Sequence, residues 1–131
     1  MIKRATISLL FVLLFTIPQF ASAGHWYEGG TLQSANVSKW NQSSYENRLA
    51  TSADWFVSIT KQHNSSLQKK VNQLSGSQYL VTLKAFSAQL KKCVSDIAYI
   101  KSGKKQALES NDKIAEVASM CFLSLYGSDA D

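Results

Sequence analysis

The stretch YLVTLKAFSAQLKKCVSDIAYI, residues 79–100, decides the fold class. Its apolar residues Tyr79, Leu83, Phe86, Leu90, Cys93, Ile97 and Ile100 are spaced alternately four and three apart. A strand repeats every two residues, so this spacing describes a helix. The 4-3 alternation is an a/d seam that winds against a partner helix. Lys84, Lys91, Lys92 and Lys101 lie off the seam, and Ser102-Gly103-Lys104-Lys105 ends it.

A second helix is expected on the C-terminal side. Asn111 is a candidate cap, and Asp112 in the first turn suits the positive end of the helix dipole. Its apolar stripe is Ile114, Val117, Ala118, Cys121 and Leu125, and Gly127 is placed to stop it. On the N-terminal side, Ser75-Gly76-Ser77 marks a boundary. Before it, Leu67, Val71 and Leu74 follow a cap-like His63-Asn64-Ser65-Ser66. The stripe Phe56, Ile59, His63, Leu67, Val71, Leu74 also fits one unbroken helix. From Asn36 to His63, Val37, Trp40, Tyr45, Leu49, Ala53, Phe56 and Ile59 recur at three to five residues, with no glycine or proline between. One long amphipathic helix is expected there, capped by Asn36.

Cys93 and Cys121 sit on the seams of the last two helices. In an antiparallel hairpin both lie ~12–13 Å from its tip, at matching depth. An even count and matching depth predict one disulfide. Neither a C-x-x-C motif nor a flanking histidine supports a redox pair. The expected fold is therefore an all-α bundle of about four helices, the last two an antiparallel hairpin stapled by Cys93–Cys121.

The first 23 residues differ in kind. Lys3 and Arg4 precede the apolar run Ile7–Ile17, Pro18 ends it, and Ala21-Ser22-Ala23 is a small-residue cleavage site. This is the pattern of a secretory signal peptide, and the run is too short for a membrane span. Export to a bacterial periplasm is expected. On a eukaryotic route Asn36, Asn41 and Asn64 would be glycan acceptors. The expected organisation is a leader (1–23), an aromatic arm (24–35), a helical domain (36–127) and a frayed acidic tail (128–131). Cleavage after Ala23 would leave 108 residues with 12 basic and 9 acidic side chains, a net +3 rather than the +5 of the whole chain.

Chemistry is sparse. With no G-x-S-x-G, no Gly-rich phosphate loop and no H-E-x-x-H, an enzyme is not expected, nor a cofactor. Glu109, Asp112 and Glu116 share a helix face but lack the glycine-bearing loop of a calcium site. His25, close behind the cleavage site, is a candidate copper ligand, and His63 is a candidate half-buried pH sensor. Trp26, Tyr27 and Trp55 are candidate partner-binding aromatics. Lys91, Lys92, Lys101, Lys104 and Lys105 are a candidate basic surface toward the tip of the last two helices, suited to weak contact with anionic membrane or cell wall. The modest charge and the absence of arginine there speak against nucleic acid.

Leader, helices and the Cys93–Cys121 pair together resemble the periplasmic acid-stress chaperones of the HdeA type. The resemblance implies a small helical fold with one inter-helix disulfide, opened by acid from a dimer to bind unfolding proteins. That family's first cysteine lies beside a tryptophan, whereas Asp54-Trp55-Phe56 has none next to it. Periplasmic immunity proteins share the same gross plan. The expected function is protein binding in the periplasm, linked to envelope stress, with homodimerisation as a further expectation. The alternatives are an inhibitor of one secreted toxin or enzyme, and a small metal or ligand carrier using His25.

Overall fold

The computed structural model describes residues 24–99 and 108–129. Five helices lie among them: α1 Val37–Gln42, α2 Tyr45–His63, α3 Ser65–Asn72, α4 Gly76–Ala98 and α5 Ile114–Tyr126. The expected leader, Ile100, the Ser102–Lys105 stop and the last two residues fall outside the described residues.

The long helix expected from Asn36 to His63 is two helices. Asn36 caps α1, its Oδ1 accepting from the Lys39 N–H at 2.8 Å. Ser43 then leaves the helix with extended backbone, φ −84° and ψ 160°. Its Oγ–H donates to the Lys39 carbonyl at 2.7 Å. Ser44 opens α2 by accepting from the Asn47 N–H at 3.1 Å. Short hydroxyl side chains offer the backbone these local partners in place of the next helical turn. The five-residue step from Trp40 to Tyr45 is the trace of the bend in the sequence.

Of the two readings open at residues 63–66, the broken helix is the one that forms. The Asn64 N–H closes α2 on the Thr60 carbonyl at 2.9 Å. Its Oδ1 starts α3 by accepting from the Leu67 N–H at 2.9 Å. The boundary at Ser75-Gly76-Ser77 also stands, with Gly76 at φ +48° as the first residue of α4.

The core face of α4 departs from the expected seam. Leu83, Ser87, Leu90, Val94 and Ala98 are buried, Cys93 is half-buried and Ile97 is exposed. A straight helix at 3.6 residues per turn drifts ~20° per heptad against a 3.5-residue repeat. By the last two turns the core side has therefore moved to Val94 and Ala98. Ser87 is tolerated inside because its Oγ–H bonds the Leu83 carbonyl at 2.6 Å.

The start of α5 is also corrected. Asn111 is an exposed turn residue, and the cap position falls on Lys113 without a side-chain bond. Tertiary backbone bonds set this start. The Val37 N–H donates to the Asp112 carbonyl at 2.9 Å and the Ile114 N–H to the Ala35 carbonyl at 3.0 Å. The buried stripe is Ile114, Val117, Ala118, Cys121 and Phe122, with Leu125 left exposed. Gly127, at φ +73°, ends the helix as expected.

The arm is part of the fold. Leu32 is completely buried and Ala35 nearly so. The Leu32 N–H donates to the buried Thr51 Oγ1 at 3.2 Å. Gly30 lies so close to α2 that a Cβ there would stand 2.5 Å from the Thr51 nitrogen. Only hydrogen fits at that position.

One contiguous core results, in which α2 packs most extensively on α4 and α4 on α5. Its centre is aromatic. Phe56 meets Phe86, Phe122 and Tyr126 with ring centroids 4.9, 5.9 and 5.5 Å apart. The Cys93–Cys121 disulfide is formed and joins α4 to α5.

Candidate functional site

Trp55 is a core residue, which corrects its expected role at a partner surface. It is buried and stacks on Trp40 at 5.5 Å. Trp40 in turn donates from Nε1 to the Ser95 Oγ at 3.2 Å. Leu49, Phe56 and Ala53 share the long buried side of α2, which is wide enough to take both Trp55 and Phe56 inside. Trp26 and Tyr27 are half-buried against the domain's own core. Lys84 places its Nζ 5.8 Å from the Trp26 ring centroid, which steadies the arm.

His25 is exposed and stacks on Tyr27 at 5.2 Å. No group of three or more histidine, cysteine or acidic side chains able to hold a metal occurs among the described residues. His63 is exposed rather than half-buried, because α2 ends at that residue and turns its side chain to solvent. Asp112 is occupied by the Glu109 N–H at 2.8 Å, while Glu109 and Glu116 are exposed. The sequence holds four Ser-x-x-Lys spacings, Ser58–Lys61, Ser66–Lys69, Ser102–Lys105 and Ser110–Lys113, of which the third lies outside the described residues. The six described side chains are exposed, so none of these three lysines has the desolvation that makes an ammonium a base.

Of the expected basic surface, Lys91 and Lys92 are described and Lys101, Lys104 and Lys105 are not. Lys92 pairs with Asp96 one turn along α4. Lys91 instead lies over the Tyr45 ring, its Nζ 4.3 Å from the centroid.

Two of the three potential glycan acceptors donate their side-chain amide nitrogens within the fold. The Asn41 Nδ2 donates to the Ala98 carbonyl at 2.9 Å, closing the C-terminal end of α4. The Asn64 Nδ2 donates to the carbonyls of Tyr126 and Gly127 at 3.1 and 3.3 Å. Asn64 thus ends α2, starts α3 and ties down the end of α5. The side-chain type signalled a cap, but the two long-range bonds have no signature in the sequence.

The expected frayed tail is also bound, at least through Asp129. Its N–H donates to the His63 carbonyl at 2.8 Å, and its carboxylate accepts from the Ser65 N–H at 2.7 Å. These free N–H groups at the start of α3 attract an acid physically, since no helical carbonyl precedes them. The Ser65 bonds hold the Asp129 carboxyl below its usual range, with a smaller contribution from Lys69. The described tail is therefore a clasp across the ends of α2, α3 and α5.

Beyond the clasp, α5 turns an apolar outer side to solvent. Met120 is 55% and Leu123 47% exposed, three residues apart on one face beside exposed Glu116 and Ser119. A polar groove of about 420 Å³ lies between α1 and Ser110–Asn111. Its amides and hydroxyls are largely spent on local bonds, such as Gln42 Nε2 to Ser38 Oγ at 2.9 Å. No protein-family model, curated protein or solved structure matches this chain.

Proposed function

We propose that the protein is an exported, non-catalytic protein-binding protein that takes apolar segments of partners on the outer side of α5, in the setting of envelope stress. The observation that carries this reading is the exposed pair Met120 and Leu123 on a helix whose other side belongs to the core. Exposed apolar side chains gathered on one face mark interaction surfaces, and methionine adapts to varied partners. The disulfide supports an oxidising compartment, and the leader-like residues 1–23 support export. Engagement of the Asn41 and Asn64 amides inside the fold favours a bacterial periplasm over a glycoprotein route.

In this reading α4 and α5 are the two arms of an antiparallel hairpin. Cys121 meets Cys93, while Tyr126, further along α5, reaches back to the Phe86 carbonyl. Acid is the trigger. Protonation of Asp129 weakens its bonds to α3 and loosens the end of α5 where Phe122 and Tyr126 pack. The apolar surface offered to partners then grows.

The test uses the purified, oxidised protein near pH 7 and at about pH 3, with near-UV CD, ANS fluorescence and suppression of aggregation of an unrelated client. Acid should raise ANS binding and bring client protection, and Met120→Ser with Leu123→Ser should remove that protection at unchanged helix content. A protein that stays closed and inert in acid overturns the stress reading and leaves the single-partner inhibitor as its successor.

A further inference from the structure

Tyr45 and Arg48 are three residues apart on α2 and share one face. Lys91 of α4 reaches that face, with its Nζ over the half-exposed Tyr45 ring. Arg48 is half-buried, and its Nε is buried without a hydrogen-bond partner. Burying such a donor unpaired is costly, so it is normally matched to an acceptor. No carboxylate of the described residues forms an ion pair with either cation. Asp96, the acid of α4, pairs with Lys92, and Glu46, two residues from Arg48, points around the other side of α2. Residues 100–107 add Lys101, Lys104 and Lys105 to the chain and no acid. Lys91 is held below the usual lysine range by burial and then by the charge of Arg48, with Asp96 pulling the other way and Lys92 adding to the repulsion.

A guanidinium and an ammonium are thus set together at a half-buried place, with an unused donor on the one and the Tyr45 ring under the other. An anion removes the mutual repulsion and fills the donors. The guanidinium fork matches two oxygens of one group, and the ammonium adds a point charge. We propose that Tyr45, Arg48 and Lys91 form a binding site for a tetrahedral oxyanion of the phosphate type on the α2–α4 surface. The phosphate comes either free in solution or as the headgroup of an anionic lipid. The site is separate from the α5 face and stands without the stress reading.

Inorganic phosphate is titrated into the oxidised protein at constant ionic strength, held with sodium chloride, while the Arg48 Nε–H and Tyr45 ring resonances are followed by NMR. The expected result is saturable shifts confined to this face. Arg48→Gln and Lys91→Gln should each weaken binding about tenfold, the scale of a lost charged hydrogen bond. Lys92→Gln removes the same charge from a side chain already paired, and should leave binding unchanged. Should Arg48→Gln fail to fold by near-UV CD, Lys91→Gln decides alone. Co-sedimentation with phosphatidylglycerol vesicles, against phosphatidylcholine, separates the sources. Vesicle binding lost in Lys91→Gln identifies the headgroup, and phosphate binding without vesicle binding identifies a soluble oxyanion. Shifts that do not saturate, or that all three variants reduce equally, overturn the site, as does failure of both probes.

Discussion

At Asn64 a single amide does the work of three caps. Its oxygen starts α3, its nitrogen holds the Tyr126 and Gly127 carbonyls, and its backbone closes α2. Asn64→Ala should cost ~2–3 kcal/mol in chemical denaturation, combining a lost cap with carbonyls left unpaired in a buried place. Asn64→Asp keeps the acceptor and loses the donor, so it should recover only the α3 part. Gly30 is the other position where one atom decides. Gly30→Ala puts its Cβ into the backbone of Thr51 and Ala50, which cannot swing aside. A loss of about 1–3 kcal/mol in the same measurement is expected, as for an overpacked core.

At the scale of elements, the tie between α4 and α5 combines a disulfide with a hydrogen-bonded phenol. Cys93–Cys121 closes a loop of 28 residues, and its removal by Cys93→Ala with Cys121→Ala should cost ~3–4 kcal/mol on the chain-entropy account. The fall in melting temperature on reduction should match that of the double variant. Tyr126 donates to the Phe86 carbonyl at 2.9 Å, and burial pushes its phenol up to about 12. A phenol raised in the folded state favours folding fully below its ordinary value of about 10, and that contribution is lost as pH climbs from there toward about 12. Tyr126→Phe should therefore flatten the alkaline limb of a stability–pH curve while leaving the neutral plateau within about 1 kcal/mol.

Across the whole molecule, two carboxyls act in opposite senses in acid. Asp129 is lowered in the folded state, so its contribution to stability is present above the ordinary aspartate value of about 4 and fades as pH falls below it. Asp54 is raised by burial, opposed by the Gln33 amide that bonds it at 2.7 Å. Ionised Asp54 works against folding at neutral pH, and acid relieves it. Asp129→Asn should make the acid limb shallower, and Asp54→Asn should make it steeper relative to the neutral plateau. Urea midpoints between about pH 2 and pH 7 check both signs. The order in which ANS binding and helix loss appear in the same range separates an opening of the α5 end from global unfolding.

How far the sequence reached follows from the range of the forces involved. Helical class, the cap at Asn36, the boundary at Gly76 and the stop at Gly127 were legible, because they rest on periodicity and on bonds within one turn. The cysteine pairing followed from the even count and matching depth. The apolar faces were legible only in part, with Ile97 and Leu125 left exposed. The bend at Ser43-Ser44 left only a five-residue step in an otherwise helical pattern. The expected sites fared less well. Trp55 went into the core and His63 to solvent, and the tail expected to fray placed Asp129 on α3. Leu32 and the Thr51 that receives its N–H, the Asn64 junction and the Lys91–Tyr45 contact join residues up to 63 positions apart. No local pattern marks such pairs. By itself the sequence determined that the chain forms amphipathic helices and where most of them stop, since each turn selects its own residues. Which charged and polar groups meet was decided only when those helices packed, because burial and hydrogen-bond partners belong to the assembled core.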